Sequence, residues 1–399
     1  MKQLSMPFKM FFNNKVRATL FVLILVLLSR VLVFWIFDQW EIVNDSGVAV
    51  KPLGEPAYLD YGLYQKSIGS AWNEIFRPFI FLHYAWTNIT DALVWLRGQP
   101  LKPGPIFPTL LNVWNYDINH APLAWAYLIM GILIGLLWAM FIAWRNMGLG
   151  LQILIACFPA LVYYSFLIST DLLYVLLIAL FYATAWAALL RSRWALFCCM
   201  GILVVALLTR PNALAMIPVL YFVITFDKIL KWRTKLICML FFGLLGVYML
   251  IYYLPYFWIH EGNSAHTHYW GIYPKQFNEG LFSGWPSWLN KSISFVLYAV
   301  SKVIYSVGLR PSYADISPWL VIARSWPGVL LLPGLVYGLW RGQWFDRIFV
   351  FFFLMPVYVG AAQERYLLAI TPLLLLWGIQ AYSLLGQQVA YRIQARGAF

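Results

Sequence analysis

The sequence predicts an all-α polytopic membrane protein, and three observations carry that prediction. Apolar runs of about 20 residues, the length a helix needs to cross a bilayer, recur along the chain. Only 11% of the residues are charged and mean hydropathy is +0.73, whereas soluble domains carry roughly 25% charged residues. The positive surplus is also concentrated in the amino-terminal lead, short loops and the carboxy-terminal tail, as expected for chains that keep lysine and arginine on the cytoplasmic side. Because lipid offers the backbone no hydrogen-bond partners, the apolar runs are expected to be helical.

Taken in order, the first span is expected at about 18–37. Lys2, Lys9, Lys15 and Arg17 precede it and no small-residue cleavage site follows, so it reads as a retained anchor entered from the cytoplasm. Arg30 lies inside it and either snorkels to the interface or faces a polar cavity. A long first external loop, about 38–120, comes next. Its 79–96 stretch is aromatic and too polar to span, which suits a helix lying at the interface. Within that stretch Asn88-Ile89-Thr90 matches a glycosylation acceptor, a pattern common by chance and meaningful only on a eukaryotic secretory route.

Further spans are expected at about 121–144, 150–168, 172–190, 194–208 and 213–226. The Asp227–Lys235 stretch is the clearest cytoplasmic loop. A span at 236–254 returns the chain outside. Residues 255–325 form an external segment in which 293–309 is re-entrant or interfacial. Spans at 326–340, 348–362 and 367–385 complete one domain over 1–399, with nine to eleven transmembrane helices and both termini cytoplasmic. In this topology the inner segments hold Asp227 and Asp346 as their only acids, and all 5 histidines fall outside.

Net charge is +13, but no Lys/Arg-rich patch is interleaved with nucleic-acid-reading motifs, so nucleic acid is excluded as a partner. The 4 cysteines, Cys157, Cys198, Cys199 and Cys238, fall in apolar segments and read as buried small hydrophobes. The chain lacks a Walker A loop, a Rossmann glycine fingerprint, an Asp-x-Asp pair, His-Glu-x-x-His and Gly-x-Ser-x-Gly. His260-Glu261 with His266 and His268 fits no standard zinc spacing. A cofactor is not expected, and a divalent metal is not indicated.

The polar residues that remain converge on the expected outer face. Asp60 and Tyr64 share a side if their segment is helical, and Lys66 follows them. Asp117 and His120 precede the second span. Thr170-Asp171 tops the turn before the fourth span, Thr209-Arg210-Pro211-Asn212 forms another outer turn, and Gln363-Glu364-Arg365-Tyr366 forms the last. Charges at membrane depth are costly and usually handle substrates or ions. Each has a structural reading too. Asp60 or Asp171 would cap a helix, Asp117 would form a turn, and the arginines would pair with Glu364 or lipid headgroups. Lys66 would be a solvated charge, and Tyr64, Trp72 and Trp270 would be interfacial anchors rather than sugar-stacking rings.

Several of these stretches resemble the GPI mannosyltransferase II family of integral-membrane (GT-C) glycosyltransferases. Asp60-x-x-x-Tyr64-x-x-x-Ile68 is similar to its Trp-Asp-x-x-x-Tyr-x-x-Ile-Ala motif, and Gly104-Pro105-Ile106-Phe107-Pro108-Thr109-Leu110 to its Phe-Phe-Pro-x-Tyr-Pro stretch. Phe158-Pro159-Ala160 through Ser169-Thr170-Asp171-Leu172-Leu173 resembles its Pro-x-x-x-Phe…Ser-Glu-x-Leu turn. Leu208-Thr209-Arg210-Pro211-Asn212-Ala213 resembles Thr-Arg-x-x-Gly, and Glu364-Arg365-Tyr366-Leu367 with Pro372 resembles Arg-Tyr-x-Leu…Pro. The matches run in family order over about 20–385. Two departures are Leu59 in place of tryptophan and Asp171 in place of glutamate.

The resemblance implies a GT-C-type bundle whose first external loop carries juxtamembrane helices. It implies inverting transfer of a sugar from a polyprenyl-phosphate donor to a hydroxyl on a glycan, lipid or protein. That reaction would occur on the non-cytoplasmic face, in a bacterial inner membrane with the site facing the periplasm or exterior. Asp60 would be the general base. Tyr64, Lys66, Asp117, His120, Asp171, Arg210, Glu364, Arg365 and Tyr366 would bind substrate. The phosphate leaving group departs as a stable anion and needs cationic stabilisation rather than an acid; the acceptor hydroxyl needs a base. The competing expectations are a transporter or flippase of lipid-linked glycans, and a glycan polymerase or ligase.

Overall fold

The computed structural model describes residues 18, 20–33, 35, 73–99, 104–113, 121–145, 147–166, 170–190, 192–227, 230–262, 284–307, 326–354 and 367–397. These residues form helices and turns, with no strand among them. In chain order the helices are α1 (Leu20–Val33), α2 (Arg77–Thr87), α3 (Ile89–Arg97), α4 (Ile106–Val113) and α5 (Ala121–Trp144). Next come α6 (Leu149–Ala156), α7 (Pro159–Tyr164), α8 (Thr170–Leu189), α9 (Arg193–Leu207) and α10 (Met216–Phe226). The last are α11 (Trp232–Gly262), α12 (Ser287–Ser306), α13 (Gly328–Arg341), α14 (Trp344–Phe353) and α15 (Thr371–Gly397). Short 3₁₀ turns at Asn73–Phe76 and Pro211–Ala215 lead into α2 and α10.

Three of these helices are long and apolar enough to cross a membrane: α5 over Pro122–Ala143, α8 over Thr170–Leu189 and α11 over Trp232–Pro255. Helices of that length and composition indicate membrane association, because an α-helix satisfies its own backbone where water is absent. Leu20–Val33, Trp194–Leu207, Pro211–Phe226 and Gly328–Arg341 are also apolar but shorter.

The chain divides into two compact units, Met1–Gly62 with Thr109–Ala179, and Leu63–Pro108 with Leu180–Phe399; two of the divisions fall inside α4 and α8. In the first unit, Val22 and Val26 of α1 pack with Ala139 of α5 and Ala156 of α6. Small residues set the spacing. A Cβ on Gly131 would lie 1.9 Å from the Ser165 hydroxyl, and one on Gly135 would lie 2.9 Å from the Ala156 carbonyl. The expected 150–168 span is broken instead of continuous. The helix ends at Ala156 and restarts at Pro159, a residue without an N–H to donate to the preceding turn.

In the second unit the interfacial stretch expected at 79–96 is a pair of helices, α2 and α3, broken at Asn88. The Asn88 side-chain oxygen accepts from the Thr90 N–H at 2.9 Å, and its amide donates to Asp91 at 2.8 Å. Asn88 therefore acts as the N-cap of α3, satisfying an end N–H that no helical carbonyl can reach. The inner side of the pair, Phe81, Ala92 and Leu96, packs with Ile251 and Leu254 of α11. Its other side leaves Phe79, Leu82, Trp86 and Val94 exposed, Trp86 by 92%.

The closest packing in the second unit lies between α13 and α15. Gly334 and Gly338 form a small-x-x-x-small stripe on α13. A Cβ at Gly334 would sit 2.1 Å from the Leu374 carbonyl, one at Gly338 would sit 1.7 Å from the Trp377 ring, and one at Gly378 would sit 2.3 Å from the Leu330 carbonyl. Trp377 fills this groove and is only 1% exposed. The Tyr382 hydroxyl adds a 2.8 Å hydrogen bond to the Val329 carbonyl.

Candidate functional site

The candidate site in the second unit is built where α9 gives way to the Pro211–Ala215 turn. Helix α9 ends at Leu207, and the chain turns through Leu208, Thr209 and Arg210 before Pro211 starts the 3₁₀ turn with its fixed φ. The Thr209 hydroxyl donates to the Val205 carbonyl at 2.7 Å, and the Arg210 N–H donates to the Ala206 carbonyl at 3.0 Å. Thr209 and Arg210 are both buried.

Two other segments close on this turn. The Tyr253 hydroxyl of α11 donates to the Leu207 carbonyl at 2.8 Å. The Ile106 N–H donates to the Leu208 carbonyl at 3.2 Å. Gly104 makes that approach possible, since a Cβ there would meet the Leu208 carbonyl at 2.2 Å and the Tyr253 hydroxyl at 2.6 Å. The Gly104-Pro105-Ile106 and Leu208-Thr209-Arg210 stretches, far apart in the chain, are thus neighbours joined by a hydrogen bond to the Leu208 carbonyl.

One residue back on α11, Tyr252 supports a second arginine. The Arg77 guanidinium carbon stands 5.6 Å from the Tyr252 ring centroid, and an Arg77 Nη donates to Glu74 Oε2 at 2.8 Å. Arg77 is 2% exposed and Glu74 27%. The Tyr248 hydroxyl donates to the Ile75 carbonyl, fixing the 3₁₀ turn that carries Glu74. The Tyr252 and Tyr253 rings meet edge to face at 4.8 Å, so neighbouring tyrosines connect the two arginine environments. Arg77 and Glu74 do not stand out in the sequence as site residues. Their signal is an acid–base pair three apart just ahead of an apolar helix.

In the first unit, Asp171 lies in the first turn of α8, where the helix N-terminus favours negative charge. Thr170 and Asp171 are both buried. Arg30 does not snorkel. It is 3% exposed, donating to the Ala156 carbonyl at 2.9 Å and to the Gly131 carbonyl at 3.3 Å. Ser29 accepts a further bond at 3.0 Å. Ala156 ends α6, so the guanidinium satisfies a carbonyl left open by the helix break and faces the negative end of that helix.

Of the residues expected to form the site, Asp171 and Arg210 are placed, one in each unit. Asp60, Tyr64, Lys66, Asp117, His120, Glu364, Arg365 and Tyr366 lie outside the described residues, as do Trp72, Trp270 and the side chains of the His260–His268 stretch. No group of three or more His, Cys, Asp or Glu side chains converges as a metal site among the described residues. Asp346, read as an inner-loop charge, is instead fully buried and accepts a 2.5 Å hydrogen bond from the Tyr182 hydroxyl.

The described residues define an all-helical, membrane-associated protein in which Arg30, Arg77 and Arg210 are buried. No family model matches the chain, and neither a curated protein nor a solved structure matches it.

Proposed function

We propose that this protein is an inverting glycosyltransferase of nine to eleven transmembrane helices, moving a sugar from a polyprenyl-phosphate donor to a hydroxyl acceptor on the non-cytoplasmic face. The observation that carries this reading is the pairing of Gly104–Ile106 with Leu208, at the start of the Leu208–Arg210 turn. Each stretch separately resembles a motif of the GPI mannosyltransferase II family, and their hydrogen bond supports treating them as parts of one site. That site buries Arg210 beside the turn and Arg77 close by, in a chain that otherwise presents apolar helices. Guanidinium groups in a low-dielectric setting suit a leaving phosphate, which asks for positive charge and hydrogen-bond donors rather than a proton.

In this proposal Asp60 takes the acceptor proton, Arg210 and Arg365 hold the donor phosphate, and Asp117 and His120 border the acceptor. Tyr64, Lys66, Asp171, Glu364 and Tyr366 are the further substrate-binding residues of this proposal. The localisation that goes with this is a bacterial inner membrane, both termini cytoplasmic and the site facing outward. The lipid donor would enter laterally through the bilayer, as no nucleotide sugar is available outside the cytoplasm.

The test is a transfer assay on the purified chain with radiolabelled polyprenyl-phosphate mannose and polyprenyl-phosphate glucose, alongside Arg210→Ala and Arg210→Lys. A charge-assisted hydrogen bond contributes about 1.5–3 kcal/mol, so Arg210→Ala should weaken donor binding roughly 10- to 100-fold. Arg210→Lys should recover part of that loss, since it keeps the charge without the planar fork. Wild-type donor affinity in folded Arg210→Ala would remove Arg210 from the phosphate site.

A further inference from the structure

A second charged surface lies at another end of the second unit, where α10 and α13 finish and α11 and α14 begin. Hydrogen bonds and ring contacts tie these ends into one face. Lys235 of α11 donates to the Thr225 and Asp227 carbonyls at 2.8 and 2.5 Å. Trp344 of α14 packs against Phe222 and Phe226 of α10, with centroids 4.8 and 5.5 Å apart. Arg347 donates from Nε to the Gly342 carbonyl at 2.6 Å, closing the short link from α13 to α14.

The charge on this face is one-sided. Its two acids are turned inward. Asp227 is buried and accepts from the Leu230 N–H at 2.7 Å, and Asp346 is buried on the Tyr182 hydroxyl. By contrast Lys231, Arg233 and Arg341 are exposed, and Lys235 and Arg347 are half-buried. None of these five has a carboxylate at ion-pair distance among the described residues. Exposed Trp232, Trp340 and Trp344 stand among them, with the Arg341 guanidinium 4.5 Å from the Trp340 ring centroid. The face runs directly into the apolar, outward-facing side of α11 at Leu236, Ile237, Leu240 and Leu244.

We propose that this face binds the headgroups of anionic phospholipids. The apolar side of α11 fixes where the bilayer lies, tryptophans favour the headgroup level, and basic residues at that level attract anionic lipid. A cationic rim just beyond a lipid-facing helix, with no carboxylate at ion-pair distance among the described residues, is complementary to phosphate esters bearing a net negative charge, and it offers zwitterionic lipids no equal gain. The inference is independent of sugar transfer.

The experiment is native mass spectrometry of the full chain in neutral detergent, titrated with phosphatidylglycerol and with phosphatidylcholine. Wild type should bind phosphatidylglycerol preferentially. Lys231→Gln, Arg233→Gln and Arg341→Gln remove only exposed charges, and each should lower the preference about fivefold; the triple variant should lose it on the order of 100-fold. Added inorganic phosphate should not displace the lipid. Equal wild-type binding of both lipids, a triple variant that keeps its preference, or full displacement by inorganic phosphate would each overturn the proposal.

Discussion

On the proposed mechanism, Asp60→Asn should abolish sugar transfer while leaving donor binding and yield unchanged. The substitution keeps the size and hydrogen-bonding reach of the side chain but removes the basic oxygen. General-base catalysis typically contributes about 10²–10⁴-fold, and with a phosphate leaving group no second proton transfer is needed to share the burden. The amide would still bind the acceptor hydroxyl, so the loss should appear in the chemical step and not in donor affinity. Asp117→Asn is the companion measurement, because Asp117 is another carboxylate of the stretch expected to form the first external loop and stands three residues ahead of His120. If Asp60→Asn transfers at the wild-type rate, Asp60 is not the base. A selective loss in Asp117→Asn would then move the assignment there.

Gly338→Ala should be the most damaging single-methyl change among the described residues of the second unit. Alanine normally favours a helix over glycine by about 1 kcal/mol. At Gly338 the added carbon would lie 1.7 Å from a Trp377 ring atom, well inside van der Waals contact. Trp377 is almost fully buried and cannot swing into solvent, so α13 and α15 must separate. Overpacking of this kind costs about 1–3 kcal/mol and sometimes more, which outweighs the gain in propensity. Gly201→Ala in α9 is the matched control, since nothing lies within 4 Å of a Cβ there. Thermal unfolding in detergent should show Gly338→Ala lowered by several degrees and Gly201→Ala unchanged or raised. Equal stability of the two variants would contradict the packing described for α13 and α15.

Local pattern made the helices legible, because a run that must satisfy its backbone in lipid announces its own length. The span expected at 121–144 coincides with α5, and the one at 194–208 lies one residue from α9. Breaks within apolar runs were harder to read. The break before Pro159 interrupts a stretch whose hydrophobicity continues across it. Asn88 carried a local signal, three residues ahead of Asp91 as in a reciprocal cap.

Residues fixed by distant partners were the least legible. Arg30 is held by a carbonyl 126 positions away, and Asp346 by a hydroxyl 164 positions away. No window of sequence contains both members of either pair. The candidate site was legible in part for the same reason. Its motifs were visible one at a time, whereas the hydrogen bond from Ile106 to Leu208 and the place of Arg77 over Tyr252 belong to the folded chain.

The measurement that tests sugar transfer most directly is mass spectrometry of lipid-linked and surface glycans in cells lacking the gene, with and without the wild-type copy. The proposal predicts a glycan short of one sugar, accumulation of its polyprenyl-phosphate donor, and restoration of both by the wild-type gene. A complete lipid-linked glycan accumulating untranslocated would contradict transfer and identify a transporter.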